Sequence, residues 1–176
     1  RYGLGGDGNL DLELRYAGVP EPSRDDMLVK ALVSPREDRV FHLLKALEFG
    51  WSVGRIYQLT SIDPWFLSQI SEIVESRRVF RERLPESGLT VEGVRGMKRL
   101  GFSDMQIGFL LREEELVSLK SRGPDFEREY AKALRDGEST VRRFRKTHSI
   151  APGFRLVDTC GGEFEAFTPY YYSSYD

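Results

Sequence analysis

Cys160, in the run VDTCGGEF, is the one thiol in the chain and its most nucleophilic side chain. A catalytic thiol needs a lowered pKa and a base within reach, and the flanking residues supply neither. With no second cysteine it forms no internal disulfide, which suits a reducing cytoplasm. His42 and His148 lie far apart, and neither has another His, Cys or carboxylate at metal-ligand spacing. His42 sits beside apolar positions and reads as a half-buried packing residue. The run GLGGDG, Gly3–Gly8, lacks the lysine of a phosphate loop and has no strand leading into a helix, so it reads as a flexible turn. Carboxylates crowd the runs REEEL and DFERE, but acid–base work needs two carboxylates in unlike environments, and this density describes a solvated surface. No catalytic residue, cofactor-binding residue or metal ligand is assigned.

Positive charge gathers only locally, in RRFRK, Arg142–Lys146. Two stretches, VGRIYQLTSIDPWFLSQI and VRGMKRLGFSDMQIGFLL, each outline two short helices across a tight turn. Together these features admit a helix-turn-helix nucleic-acid-binding module as the alternative reading. A recognition helix presents Arg, Lys, Asn or Gln outward, whereas this one offers Ser68, Gln69, Ser71, Glu72 and Glu75. The net charge of −2 gives no general attraction to nucleic acid or anionic membrane. No apolar run reaches the roughly 18 residues of a membrane span. With 40% apolar and 31% charged residues, a chain of 176 can bury one good core or two small helical subdomains. It opens on Arg and closes on the aromatic run TPYYYSSYD, and both ends read as cuts from a longer protein.

The elements that would hold these residues are mostly helices. Ser23 with Asp26 starts the first, whose Met27, Leu28, Ala31 and Leu32 recur at helical spacing. Ser34, Pro35 and Glu37 predict the start of a second, which carries Val40, Phe41, Leu43, Leu44 and Leu47 inward and stops at Gly50. Ser52 opens a short helix, and Asp63-Pro64 opens a long one with Phe66, Ile70, Ile73, Phe80 and Leu84 on one stripe. Trp65 and Phe66 are expected to brace that helix against the short one before it. Thr90 caps a helix that Gly101 closes, and Ser103 with Gln106 forms a capping box for the next. The charged region after Arg112 reads as two helices split at Gly123-Pro124 and ended near Gly137, before a last helix over STVRRFRKTHS. GFRLVDT reads as a strand. Phe41, Leu44, Trp65, Phe66, Ile70, Ile73 and Phe102 are the expected core. The fold class is mainly α, two small clusters of short helices with a short extended segment near the C-terminus.

Several stretches together resemble one family. DRVFHLLKALEFGWSVGRIYQLTSIDPWFLSQISEIVE, Asp38–Glu75, is similar to the helical middle of the carbamoyl phosphate synthetase large chain. KRLGFSDMQIGFL, Lys98–Leu110, resembles its next helix pair, and GFRLVDTCGGEFEAFTPYYYSSYD its closing stretch; YGLGGDG is similar to the exit from the first synthetase half. Trp65-Phe66 and Asp158-Thr159-Cys160 with Phe164 carry the resemblance furthest. Two departures stand out: Gly161-Gly162 replaces the family's Ala-Ala, and residues 112–140 are longer and more charged than the usual connection.

The resemblance implies a non-catalytic connecting and oligomerisation domain. Its full-length parent would be an ATP-dependent ligase making carbamoyl phosphate from bicarbonate, ammonia derived from glutamine, and two ATP, for pyrimidine and arginine biosynthesis. Residues 1–22 would be a linker from the first synthetase half and 23–153 the oligomerisation domain, with 112–140 an inserted helical hairpin. Residues 154–176 would lead to the second half. No cofactor is expected in these residues; ATP and a divalent metal belong to the parent's catalytic halves. The expected partners are those two halves, a second copy, and a glutaminase small subunit on the parent, in the cytoplasm, with no nucleic acid and no membrane. Met27, Leu28 and Leu32 are the candidate association surface. TPYYYSSYD is expected to dock on the neighbouring half and to be mobile beyond Thr168 without it.

Overall fold

The computed structural model describes residues 15–16, 18–120, 126–165 and 170–175. Among them are eight helices and one two-stranded antiparallel sheet, the mainly α architecture expected. No helix among the described residues is long and apolar enough to cross a membrane. The chain forms two compact units, Arg1–Pro85 and Glu86–Asp176.

The first unit holds α1 (Glu21–Val33), α2 (Arg39–Glu48), α3 (Val53–Thr60) and nearly all of α4 (Pro64–Ser87). α1 starts directly behind Pro20, with no side-chain cap, two residues before the expected Ser23. α2 also departs from expectation. The Arg36 N–H donates to the Ser34 carbonyl at 2.9 Å, which closes a tight turn there, and the helix begins only at Arg39. Its end is as read: Gly50 has φ 83°, and the Trp51 N–H donates back to the Ala46 carbonyl at 3.0 Å. Only a residue without a Cβ takes that left-handed turn at no steric cost. The turn also folds Trp51 into the core, where it is buried.

That core consists of Leu28, Leu32, Leu43, Ala46, Ile56 and Leu67, joined by Tyr16 and Trp51. Asp25 of α1 ties it laterally. Its carboxylate accepts from Trp51 Nε1 at 3.2 Å and from Arg55 at 2.9 Å, while the Arg55 guanidinium lies 3.4 Å over the Trp51 ring. Tyr16 falls in the stretch expected to be a linker, yet it is only 5% exposed and its hydroxyl meets His42 Nδ1 at 2.7 Å.

The second unit holds α5 (Val91–Arg99), α6 (Asp104–Leu111), α7 (Glu113–Lys120) and α8 (Phe126–Thr147), then β1 (Gly153–Val157) and β2 (Tyr170–Ser174). Thr90 and Ser103 cap α5 and α6, the latter with the full capping box to Gln106. α8 corrects the sequence reading. It runs unbroken through Gly137, where a stop was expected, while the Gly123-Pro124 break lies outside the described residues. Gly137 faces Gly108 of α6. A Cβ on Gly108 would sit 2.6 Å from the Glu138 nitrogen and 2.8 Å from the Gly137 carbonyl oxygen. The two helices therefore cross backbone against backbone, and the segment expected as an inserted hairpin supplies the main packing partner of α6. Leu116, Leu119, Ala133 and Val141 are buried with Val94, Met97, Phe102 and Ile107.

β1 and β2 pair antiparallel, Phe154 opposite Ser173 and Leu156 opposite Tyr171. The run TPYYYSSYD thus contributes a strand over Tyr170–Ser174, with Tyr170, Tyr171 and Tyr172 all exposed. Its backbone finds hydrogen-bond partners inside this same chain.

The glycine crossing gives a paired prediction. Gly108→Ala drives a methyl group into the α8 backbone and should cost about 3 kcal/mol, the upper end for overpacking. Gly96→Ala, on α5 with open space around it, should instead add up to about 1 kcal/mol. Urea unfolding of both variants checks this.

Candidate association surface

The three residues singled out for association do not form a surface. Leu28 and Leu32 are fully buried at the centre of the first core, and Met27 packs half-buried against it. α1 touches both α2 and α3, so the apolar stripe that looked spare at a domain edge is covered on both sides. The expected core divides. Leu44 and Phe102 are buried; Phe41, Ile70 and Ile73 are half-buried; Trp65 and Phe66 are outside, at 63% and 58% exposure. Phe66 shares its side of α4 with Leu84, a whole number of turns further on. Leu84 and Leu67 are buried nonetheless: in the first turn the core takes up Leu67, one position further round the helix, and Phe66 stays outside.

This aromatic pair is held stiffly. Trp65 and Phe66 meet edge to face with centroids 4.9 Å apart. The Trp65 N–H donates to the Asp63 carboxylate at 2.8 Å, which caps α4 as read from Asp63-Pro64. Just before it, Ser61 takes the left-handed conformation at φ 55°, its N–H donating to the Tyr57 carbonyl at 2.8 Å. The Thr60 hydroxyl bridges the corner, donating to Ile56 O at 2.8 Å and accepting from the Ile62 N–H at 3.2 Å. Arg39 reaches across from α2 to the Thr60 carbonyl at 3.2 Å. Tyr57 of α3 is 46% exposed.

A second uncovered surface is the sheet of the other unit. Phe154, Leu156 and Tyr171 lie on one face, Val157, Tyr170 and Tyr172 on the opposite one, and all six are exposed. A two-stranded sheet is marginal alone in water, and this one has apolar side chains on both faces.

Two ionisable centres are built into the units, and neither has a nucleophile beside it. In the first unit, His42 is 2% exposed between the Tyr16 hydroxyl and Asp38, whose carboxylate lies 3.4 Å from Nε2. Burial lowers its pKa below the usual 6.5 against the opposing pull of Asp38, aided by the charges of Arg15 and Arg36. In the second, buried Asp104 takes both forks of Arg145, at 2.7 and 2.5 Å, with Lys98 at 3.3 Å. Burial pushes its pKa up, but Arg145 and Lys98 outweigh this and hold the carboxyl below its usual range. Burial likewise lowers Lys98, against the pull of Asp104. The Tyr175 ring lies over both cations, and Arg99 donates to the Tyr175 carbonyl at 3.2 Å, so the end of β2 is anchored here. The Asp104 centre was not legible locally, since Asp104 and Arg145 belong to different helices.

The chemistry-bearing residues of the sequence stay apart. The Cys160 N–H donates to the Asp158 carboxylate at 3.0 Å, and Sγ lies 3.9 Å from the Thr159 hydroxyl. Of the basic run, Arg142 is paired with Glu138 at 2.6 Å and Arg145 with Asp104, so two of its charges serve internal pairs. This leaves the nucleic-acid reading without support. GLGGDG lies outside the described residues.

Both helical units leave apolar side chains exposed outside their own cores, as an association module would. Comparison with known proteins agrees. The family model described as carbamoyl-phosphate synthetase large chain, oligomerisation domain, matches residues 9–124, and the chain belongs to that family. It is 39% identical to the carbamoyl phosphate synthase large chain of a Nostoc species over 82% of its length, 11% of that protein. It is 35% identical over its whole length to the Synechocystis large chain, covering 13% of it. With the N-terminal section of the large chain from Aquifex aeolicus it shares 37% identity over 94% of its length, 26% of that protein. The chain therefore spans a small part of these relatives.

Two predictions follow from the burial and the charges. Leu28→Ala should cost about 2–5 kcal/mol in urea unfolding, whereas Trp65→Ser should stay within about 0.5 kcal/mol. Below pH 6.5 the unfolded chain takes up a proton that buried His42 resists, so stability should fall as pH drops through this window. Asp104 acts in a separate, more acid range, its contribution being lost as pH falls through its depressed pKa. Unfolding midpoints between about pH 7.5 and 5 should therefore drop in the parent chain and flatten in His42→Gln.

Proposed function

We propose that this chain is the connecting and association module of a full-length carbamoyl phosphate synthetase large chain, an ATP-dependent ligase. That protein would act in the cytoplasm and form carbamoyl phosphate from bicarbonate, glutamine-derived ammonia and two ATP, with a glutaminase subunit as ammonia source. ATP and its divalent metal would sit in the catalytic halves, and this module would join them. The exposed faces of β1 and β2 suit cover by the catalytic half of the same chain. Apolar residues on both sides of a sheet call for a layer on each.

Self-association is placed on the Trp65–Phe66 corner. The observation that carries this is a rigid pair of large aromatics, more than half exposed, on a capped helix start. Aromatics in that position are what interface centres use, and a two-fold contact needs only that the patch match itself. The family's description as an oligomerisation domain supports the same reading.

The test is the mass of the full-length protein by light scattering across concentration, with Trp65→Ser combined with Phe66→Ser. Association should weaken by at least about tenfold while the melting temperature stays unchanged. An unaltered mass profile would remove this corner from the interface.

A further inference from the structure

Three cations of the first unit have no anionic partner among the described residues. Arg15, Lys30 and Arg36 make no ion pair or side-chain hydrogen bond among the described residues, although Arg55, Arg77 and Arg78 of the same unit each reach a carboxylate. A lone unpaired cation on a surface is ordinary. These three, however, line one cavity of about 240 Å³. Its apolar side is Met27 and Ala31 of α1; its polar side is Tyr16, His42 and Asp38.

The charges define what fits. Three cations face one carboxylate, Asp38, and His42 is kept neutral by burial at neutral pH. The lining is therefore doubly positive, and charge concentrated around a concavity attracts an anion more strongly than the same charge spread on a flat surface. Two guanidinium forks and an ammonium match phosphate geometry and supply charge-assisted hydrogen bonds. The cavity is below the roughly 300 Å³ where drug-sized sites begin, too small for a dinucleotide and ample for a phosphorylated molecule of a few carbons.

We propose that this cavity binds a small phosphate monoester, its phosphate held by Arg15, Arg36 and Lys30 and its carbon skeleton resting on Met27 and Ala31. The site holds a ligand and does not transform one. Tyr16 occupies His42 Nδ1 and Asp38 faces Nε2, so the imidazole is engaged on both of its nitrogens. Occupancy would clamp three separate pieces of chain: the residues before α1, the face of α1, and the turn before α2. The site is independent of whether the Trp65–Phe66 corner meets a second copy.

The chain has just two histidines, which makes the test direct. The carbon-bound imidazole protons of His42 report from the cavity wall, and exposed His148, in the other unit, is the internal control. Inorganic phosphate, glycerol 1-phosphate and malonate are titrated at constant ionic strength and neutral pH. Both phosphates should shift His42 saturably and leave His148 still, with glycerol 1-phosphate the tighter. Arg36→Gln, Lys30→Gln and Arg15→Gln, all at exposed positions, should each weaken binding by about tenfold or more without changing the melting temperature. The proposal is overturned if His42 does not saturate by about 20 mM, a ceiling already weaker than the millimolar range. It is equally overturned if both histidines move together, if the Gln variants bind unchanged, or if malonate binds as tightly as phosphate.

Discussion

In the second unit α6 and α8 touch main chain to main chain at Gly108 and Gly137, and the rest of that unit is arranged around this contact. Two backbones at that separation leave no room for a methyl group between them, so dispersion contacts along both helices are made at their closest range. The crossing brings Arg145 within reach of Asp104, and this pair in turn holds Lys98 and Tyr175. A buried carboxylate alone would be costly; two guanidinium hydrogen bonds and an ammonium make it tolerable. Packing geometry and electrostatics are thus one device, and the sheet at the end of the chain is fastened to it.

The first unit works by another route. Its core is filled by side chains from four helices, and its polar ties run from the buried Tyr16–His42 pair to Asp25 with Trp51 and Arg55, and Glu48 with Lys45 and Arg77. Among its described residues no glycine marks a close backbone approach. Deleting volume there leaves a hole, whereas adding volume at the glycine crossing forces two helices apart.

Local signals were legible in the sequence and distant ones were not. The caps at Ser52, Asp63, Thr90 and Ser103, and the stops at Gly50 and Gly101, were readable because each depends on residues within one turn. Gly137 misled for an instructive reason: a glycine in a polar helix reads as an end, and only the partner helix reveals it as a point of contact. Ser34-Pro35 failed because a competing turn took the Ser34 carbonyl. Periodicity put Phe66 on the stripe that buries Leu84, but could not tell that at the start of α4 the core takes Leu67 and leaves Phe66 outside. The same gap made Leu28 and Leu32 look spare when α2 and α3 cover them. The family likeness, carried by whole stretches, was the one long-range signal available, and it identified the module while its residue-level surface was still misplaced.

The corner that presents Trp65 and Phe66 contains a serine, not a glycine, in a left-handed turn, clamped by Thr60, Asp63 and Arg39. A side chain at φ 55° is mildly strained, and the clamp keeps it there. Conformational freedom is thus surrendered when the domain folds and is no longer available to be lost on docking. Contacts made by such a pre-set knuckle would discriminate sharply by shape, rejecting a mismatched counterpart that a pliant loop would have moulded itself around.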